Sequence, residues 1–160
     1  MIQKIVSGGQ TGADRAALDF AIKHKLPYGG WVPKGRKTED GTLPEKYHLQ
    51  EMPTGQYSKR TEQNILDSDG TLIVSHGLLA GGSALTRELA KQHRKPWIHI
   101  DLEITSYPEA ARIIRGWLGR NGIKVMNIAG ARASKDPMIY QAVTELLEET
   151  KREQATLPSR

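Results

Sequence analysis

Short apolar runs alternate with stretches of helical period along nearly the whole chain. Lys4-Ile5-Val6 reads as a short buried strand, and Ala13, Ala16, Ala17, Phe20, Ala21 and His24 then fall on one face of a helix. Tyr28 to Val32 reads as a second strand, Pro33 to Glu45 as a long polar loop, and Tyr47 to Met52 as a brief extended segment. A helix is predicted over Ser58 to Ser68 with Ser58 as N-cap and Asp69-Gly70 as its stop. Thr71-Leu72-Ile73-Val74-Ser75 is a strand, Leu85 and Leu89 mark a helix reaching about His93, and Trp97 to Asp101 is the next strand. Ser106-Tyr107-Pro108-Glu109 matches a capping box that opens a helix with Ala110, Ile113, Ile114, Trp117 and Leu118 on its apolar face. Asn121-Gly122 turns the chain into a strand over Lys124 to Ile128. Asp136-Pro137 then reads as N-cap and N1 of a last helix carrying Ile139, Val143, Leu146 and Leu147.

Strands that alternate with helices imply a three-layer α/β domain, a mostly parallel, doubly wound sheet covered on both faces. One domain is expected over 1–152, with 153–160 a frayed tail that has lost its periodicity. Three loops rich in small residues follow predicted strands and open predicted helices: Ser7 to Gly12, His76 to Ser83 and Ala129 to Lys135. In a parallel sheet all three leave the same edge, the carboxyl ends of the strands, where ligands bind in this architecture.

The first loop, Ser7-Gly8-Gly9-Gln10-Thr11-Gly12, precedes a helix whose unpaired N–H groups would seat an anion. It lacks the Gly-Lys-Ser/Thr ending of a Walker A loop and the glycine spacing of a dinucleotide fingerprint. The alternative is a turn that merely packs strand on helix, but Ser7, Gln10 and Thr11 add polar groups that packing does not require. Asp14 and Arg15 follow in the first helical turn, Asp14 either as a site residue or as an acid facing the helix dipole. In the second loop Gly81-Gly82-Ser83, with Thr86, can turn backbone amides and a hydroxyl toward an oxyanion, or Ser83 can simply cap the helix. Glu88 is the candidate acid, against a solvated helix face. His76 is either a ligand contact or a structural histidine. Lys34, Arg36, Lys37, Arg60 and Arg132 are candidate anion clamps, each weighed against an ordinary surface charge. Trp31 could stack on a heterocycle, and Asp101, at a strand's carboxyl end, could meet a ribose or amino group.

Composition narrows the chemistry. The 160 residues include no cysteine, which excludes disulfides, thiolate metal sites and a cysteine nucleophile. The five histidines show no close ligand spacing, so no metal site is expected. A net charge of +5 suits an anionic small molecule, while the absence of a dense basic tract makes nucleic acid a weak expectation. No signal-like or membrane-spanning apolar run is present, so a cytoplasmic location and no membrane partner are expected.

Longer blocks carry a family resemblance. Ser7-Gly8-Gly9-Gln10-Thr11-Gly12-Ala13-Asp14-Arg15-Ala16-Ala17-Leu18-Asp19 resembles the opening motif of the family named "putative molybdenum carrier protein". Gly29-Gly30-Trp31-Val32-Pro33-Lys34-Gly35-Arg36 with Glu39-Asp40-Gly41 resembles its second block, and Arg60-Thr61-Glu62-Gln63-Asn64 with Asp67 to Thr71 its third. Gly81-Gly82-Ser83 with Leu85-Thr86, then Asn127-Ile128-Ala129-Gly130 with Ser134, resemble the remaining two. The resemblance implies a Rossmann-like fold within a group that includes lysine-decarboxylase-like phosphoribohydrolases and a DNA-processing protein. It also implies homo-oligomers and binding of molybdenum cofactor (molybdopterin), a pterin bearing a phosphate and an oxidised metal, or of another phosphate-bearing heterocycle. The loop reading and the resemblance together mark as cofactor-binding Ser7 to Gly12, Asp14, Arg15, Lys34, Arg36, Arg60, His76, Gly81 to Ser83, Thr86, Gly130 and Ser134. Two departures stand out. Leu85 breaks the Gly-Gly-any-Gly-Thr pattern of the phosphoribohydrolases and Thr86-Arg87-Glu88 is shifted, which counts against their N-glycosidic chemistry. Val32 stands where many relatives have cysteine.

Overall fold

The computed structural model describes residues 2–156. Fourteen elements follow in order: β1 (Lys4–Val6), α1 (Ala13–Lys23), β2 (Tyr28–Gly29), β3 (Trp31–Val32), β4 (Lys37–Thr38), β5 (Gly41–Thr42) and β6 (Gln50–Glu51). Then come α2 (Tyr57–Leu66), β7 (Gly70–Ser75), α3 (Gly81–Gln92), β8 (Trp97–Asp101), α4 (Tyr107–Asn121), β9 (Val125–Gly130) and α5 (Ile139–Thr156). The tail expected to fray falls partly within α5, and residues 157–160 lie outside the described residues.

Five strands form one sheet in the order β2-β1-β9-β7-β8, every neighbouring pair parallel. This is the expected doubly wound α/β sheet with one difference of connectivity. The last strand lies in the middle, between β1 and β7. If the chain were read from β9 onward, the order would be 3-2-1-4-5, that of a doubly wound dinucleotide-type sheet. The β9–α5 unit thus stands at the C-terminus instead of the N-terminus. The reversal of strand order falls between β9 and β7, and the crevice beside their carboxyl ends is where such a sheet takes a ligand.

Ile5, Leu72, Val74, Ile100, Met126 and Ile128 alternate toward one face and bury against the apolar stripes of α1, α4 and α5. On α1 those are Ala13, Ala16, Ala17, Phe20 and Ala21, as the spacing predicts, and His24 stacks on Phe20 while pairing with Glu148 at 2.7 Å. Helix α3 covers the other face, and α2 packs on α3 and β3. Ser106 caps α4 by accepting from the Glu109 amide at 3.3 Å, and Gly122 ends it in the left-handed region.

Local departures from the sequence expectation have physical causes. Tyr28 to Val32 is not one strand. Gly30, at φ 133°, breaks it, so β2 joins the main sheet while β3 pairs with β6 in a separate parallel pair. The long loop contains the antiparallel hairpin β4–β5. Beneath that hairpin Leu18, Val32, Leu43, Tyr47 and Leu49 make a second small core. Helix α2 begins at Tyr57 with Gln56 as N-cap, not at Ser58. Asp136 and Pro137 form a turn ahead of α5, Asp136 accepting from the Met138 amide at 3.0 Å, and the helix starts at Ile139. Among the described residues no helix is long and apolar enough to cross a membrane.

Gly12 sits at φ 80°, and a Cβ there would lie 2.4 Å from the Ala131 carbonyl oxygen. Gly12→Ala should therefore cost about 2–4 kcal/mol from left-handed strain plus the clash, read as a lower urea midpoint at unchanged slope; an unchanged midpoint would contradict this packing.

Candidate functional site

The three small-residue loops leave the same edge of the sheet and open around a cleft of about 580 Å³. That volume lies in the range of small-ligand pockets. The β1–α1 loop contributes Gly8, Gln10 and Asp14; the β7–α3 loop contributes His76 and Leu78 to Ser83; the end of β9 contributes Asn127 to Arg132; α2 contributes Tyr57, Arg60 and Asn64.

The two glycine-rich loops at helix starts behave differently. In the first, four of the backbone donors already have partners. Gly9 donates to Ser7 Oγ at 3.3 Å, Gln10 to Asp14 Oδ2 at 3.2 Å, Thr11 to Gln10 Oε1 at 3.0 Å, and Ala13 to the Ala131 carbonyl at 3.1 Å. Ser7 is fully buried and donates to the Asp14 carbonyl, while Gly9 packs on Val32, Leu43 and Leu49 of the small core. Of the residues expected to touch a ligand, Ser7, Gly9, Thr11 and Gly12 are thus placed behind the wall, and Gly8, Gln10 and Asp14 form its surface.

The second loop is open. Helix α3 starts on Ala80, which offers no side-chain cap, and has no acid in its first turn. Among the described residues the amides of Gly81 and Gly82 donate to no acceptor. Unpaired N–H groups and the helix dipole at that point make a seat for negative charge. Gly81, Gly82, Ser83 and Thr86 all line the cleft, the Thr86 hydroxyl donating to the Gly82 carbonyl at 2.8 Å. Helix α2 likewise has no side-chain cap and no acid in its first turn, and its Tyr57 and Ser58 line the same cleft.

Charge is arranged around these amides. Arg60 is 7% exposed and donates to the Gly8 carbonyl. Burial pushes its pKa down while the nearby Asp14 charge opposes that shift. Burial also raises the Asp14 carboxyl to about 6, against the pull of Arg60, the Gln10 amide and Arg15. A half-buried carboxyl and a buried guanidinium in a cleft, both displaced from ordinary values, are a functional-site signature. His76 Nδ1 lies 2.7 Å from Asp136 Oδ2, and Arg132 and Lys135 add two cations to the rim. Gly130 sits where β9 passes closest to its neighbours, a Cβ there falling 2.6 Å from the Val74 carbonyl oxygen and 2.7 Å from Ala13 Cβ.

Other candidates lie elsewhere. Glu88 is on the outer face of α3, 3.1 Å from Arg87 and 3.8 Å from Lys91, and is not among the cleft-lining residues. Arg36 donates to the carbonyls of Leu43, Pro44 and Tyr47 and holds their loop. Lys34 is exposed away from the cleft, Lys37 donates to the Gly55 carbonyl, and Arg15 to Gly9 with an ion pair to Asp40. The Trp31 indole donates to Asp67 at 2.7 Å, and Asp101 accepts from the Gly77 and Glu103 amides, fixing the β7–α3 loop. Ser134 donates to Glu39, a hairpin residue that also accepts from Thr11 and lies 3.6 Å from Arg132. Burial would raise the Glu39 pKa, but the Ser134 and Thr11 hydrogen bonds outweigh it and hold the carboxylate ionised.

Tyr57, Asn64, Ser75, Asn127 and Lys135 line the cleft without having been candidates. Asn127 carried a signal: a polar residue between Met126 and Ile128 inside an apolar strand. It is 3% exposed and donates to the Thr71 hydroxyl at 3.2 Å. Among the described residues no group of three or more His, Asp or Glu side chains is arranged to hold a metal ion.

Comparison with known proteins places this geometry. The family model described as "Circularly permutated YpsA SLOG family" matches residues 5–151. The crystal structure, at 1.45 Å resolution, of the "Putative molybdenum carrier protein" from Syntrophus aciditrophicus SB is similar over 93% of this chain and 94% of its own. The two share 66% sequence identity at a TM-score of 0.92. No curated protein sequence matches. The permutation in the family description agrees with the central position of the last strand.

The Asp14 pKa gives a stability prediction. Its folded value of about 6 lies above the ordinary 3.8, so the folded chain holds this proton more tightly than the unfolded chain. The resulting stabilisation is complete below about pH 4 and is lost as pH rises toward about 6. Asp14→Asn removes that loss, and its stability relative to wild type should climb by up to about 3 kcal/mol between pH 4 and pH 7. A pH-independent difference in urea unfolding would contradict the assignment.

Proposed function

The chain belongs to the circularly permutated YpsA SLOG family, and from that membership and the chemistry of its cleft we propose that it is a binding or carrier protein for molybdenum cofactor or a related phosphorylated heterocycle. One observation carries the reading: the uncapped, acid-free start of α3 opens into a cleft at the point where the strand order reverses. Its Gly81 and Gly82 amides would take the phosphate, with Thr86 and Ser83 beside them. Arg60, Arg132 and Lys135 would balance the remaining negative charge. Leu78, Leu79, Leu85 and Ile128 supply apolar wall for a planar ring. The 66%-identical relative's name, a molybdenum carrier, supports a cargo of that kind. With no cysteine in the chain, the metal would gain no protein thiolate, and capture would rest on hydrogen bonds that also permit release.

Assembly into homo-oligomers and a cytoplasmic location belong to the same reading. Leu78, Ile104 and Met138, large hydrophobics exposed on the loops after β7, β8 and β9, are side chains that self-association would cover. The alternative, an N-glycosidic hydrolase acting on a nucleoside monophosphate, would have to use Asp14 or Asp136, the carboxylates that line the cleft, since Glu88 lies outside it. It predicts free base on incubation with nucleotides.

Two measurements test the carrier reading. Protein purified from its own cells should release a phosphorylated heterocycle identifiable by mass spectrometry, and titration with pterin cofactor, AMP and molybdate should give saturable binding to at least one. No binding to any of them would end it. In Gly82→Asp the new Cβ meets nothing within 4 Å, so the fold should hold while the acid fills the anion seat. Affinity should fall tenfold or more, roughly the worth of a charge-assisted hydrogen bond, with an unchanged or higher unfolding midpoint. Undiminished affinity would place the anion elsewhere.

A further inference from the structure

The cleft wall formed by α2 and the start of α1 presents a carboxylate beside a guanidinium, an arrangement that a simple anion seat does not require. A Cβ built on Gly8 would meet Arg60 Nη1 at 2.7 Å and Asp14 Oδ2 at 2.9 Å, so both groups flank the same glycine. Asp14 Oδ2 accepts from the Gln10 amide. Among the described residues its Oδ1 has no hydrogen-bond donor, and the side chain lines the cleft. Arg60 uses Nη1 on the Gly8 carbonyl, and its other N–H groups likewise have no acceptor among the described residues.

We propose that Asp14 is a specificity-determining residue, selecting oxyanions that still carry a hydroxyl, such as inorganic phosphate or the monoanion of a phosphate monoester, over fully ionised ones, such as a sulfate. The proposal rests on the anion-binding reading of the cleft and narrows it. An ionised carboxylate can only accept hydrogen bonds, so it needs a donor from whatever sits against it. A phosphate or phosphate monoester retaining one proton offers that donor while its other oxygens accept from Arg60 or the α3 amides. Sulfate has the same shape but no proton, so its oxygen would face the carboxylate as one lone pair against another. A site built to bond a hydroxyl rejects the analogue that lacks it far more strongly than a site built on shape. The burial that raises the Asp14 pKa leaves its ionised form poorly hydrated, which increases the gain from a ligand donor.

Inorganic phosphate and inorganic sulfate, titrated calorimetrically at pH 6.8 and constant ionic strength, separate the possibilities. Phosphate there carries at least one proton and sulfate none. Wild type should prefer phosphate by tenfold or more, and Asp14→Asn, whose amide can donate as well as accept, should cut that ratio to near one, chiefly by gaining sulfate affinity. Asp14→Glu, which keeps the acceptor, should retain a preference for phosphate. Equal binding of the two anions to wild type, or an unchanged ratio in Asp14→Asn, would overturn the proposal while leaving the anion cleft intact. Failure of wild type to bind either anion, together with no binding of phosphorylated ligands, would overturn both.

Discussion

The ligand-facing edge depends on β9 pairing with β1 on one side and β7 on the other. These pairings join residues more than a hundred positions apart on the β1 side, and without them the sheet divides into two unsupported halves. The carboxyl end of β9 supplies the Asn127 to Arg132 wall, and its close passage at Gly130 sets β7 and α1 at their distance. Such non-local pairing is slow to form because loop closure precedes any contact it makes. The cleft is therefore a property of the complete sheet, and no single βα unit contains it.

Around that strand, two loops of similar composition do different work. The β1–α1 loop folds the amides of Gly9, Gln10, Thr11 and Ala13 back on itself and on the β9–α5 loop, while Glu39 of the β4–β5 hairpin receives Thr11 and Ser134 from both. That network makes a rigid wall. The α3 start has no such partners and keeps its amides toward the cleft. A helix N-terminus attracts an anion only where its own chain has not already satisfied it. Glycine content alone does not distinguish the two cases. The partners of the amides do.

The alternation of strand and helix was legible because each element carries a clear period: Lys4–Val6 and Trp97–Asp101 coincide with their strands, and Ser106 caps its helix as the box pattern predicts. So was the gathering of three loops on one edge, which follows from parallel strands alone. The split at Gly30 was hidden, since a glycine's φ depends on the Ser7 backbone lying against it. Strand order was hidden too, because period says nothing about which strand enters the middle. At the cleft, Arg36 and Arg60 looked equivalent as basic residues. One is absorbed by loop carbonyls and the other is buried beside Asp14, a distinction that only tertiary packing creates. Glu39 stood in the second family block with no role legible, because its partners lie 28 and 95 residues away.

The central claim is that an anionic ligand sits between the start of α3 and the Arg60–Asp14 wall. Backbone amide NMR during titration with a phosphorylated pterin or nucleotide tests it most directly. The account predicts saturable shifts largest at Gly81, Gly82 and Ser83, with a second group at Gly8 and Gln10, and little change at Lys34 to Thr42. Shifts concentrated on that hairpin, or none that saturate, would contradict it.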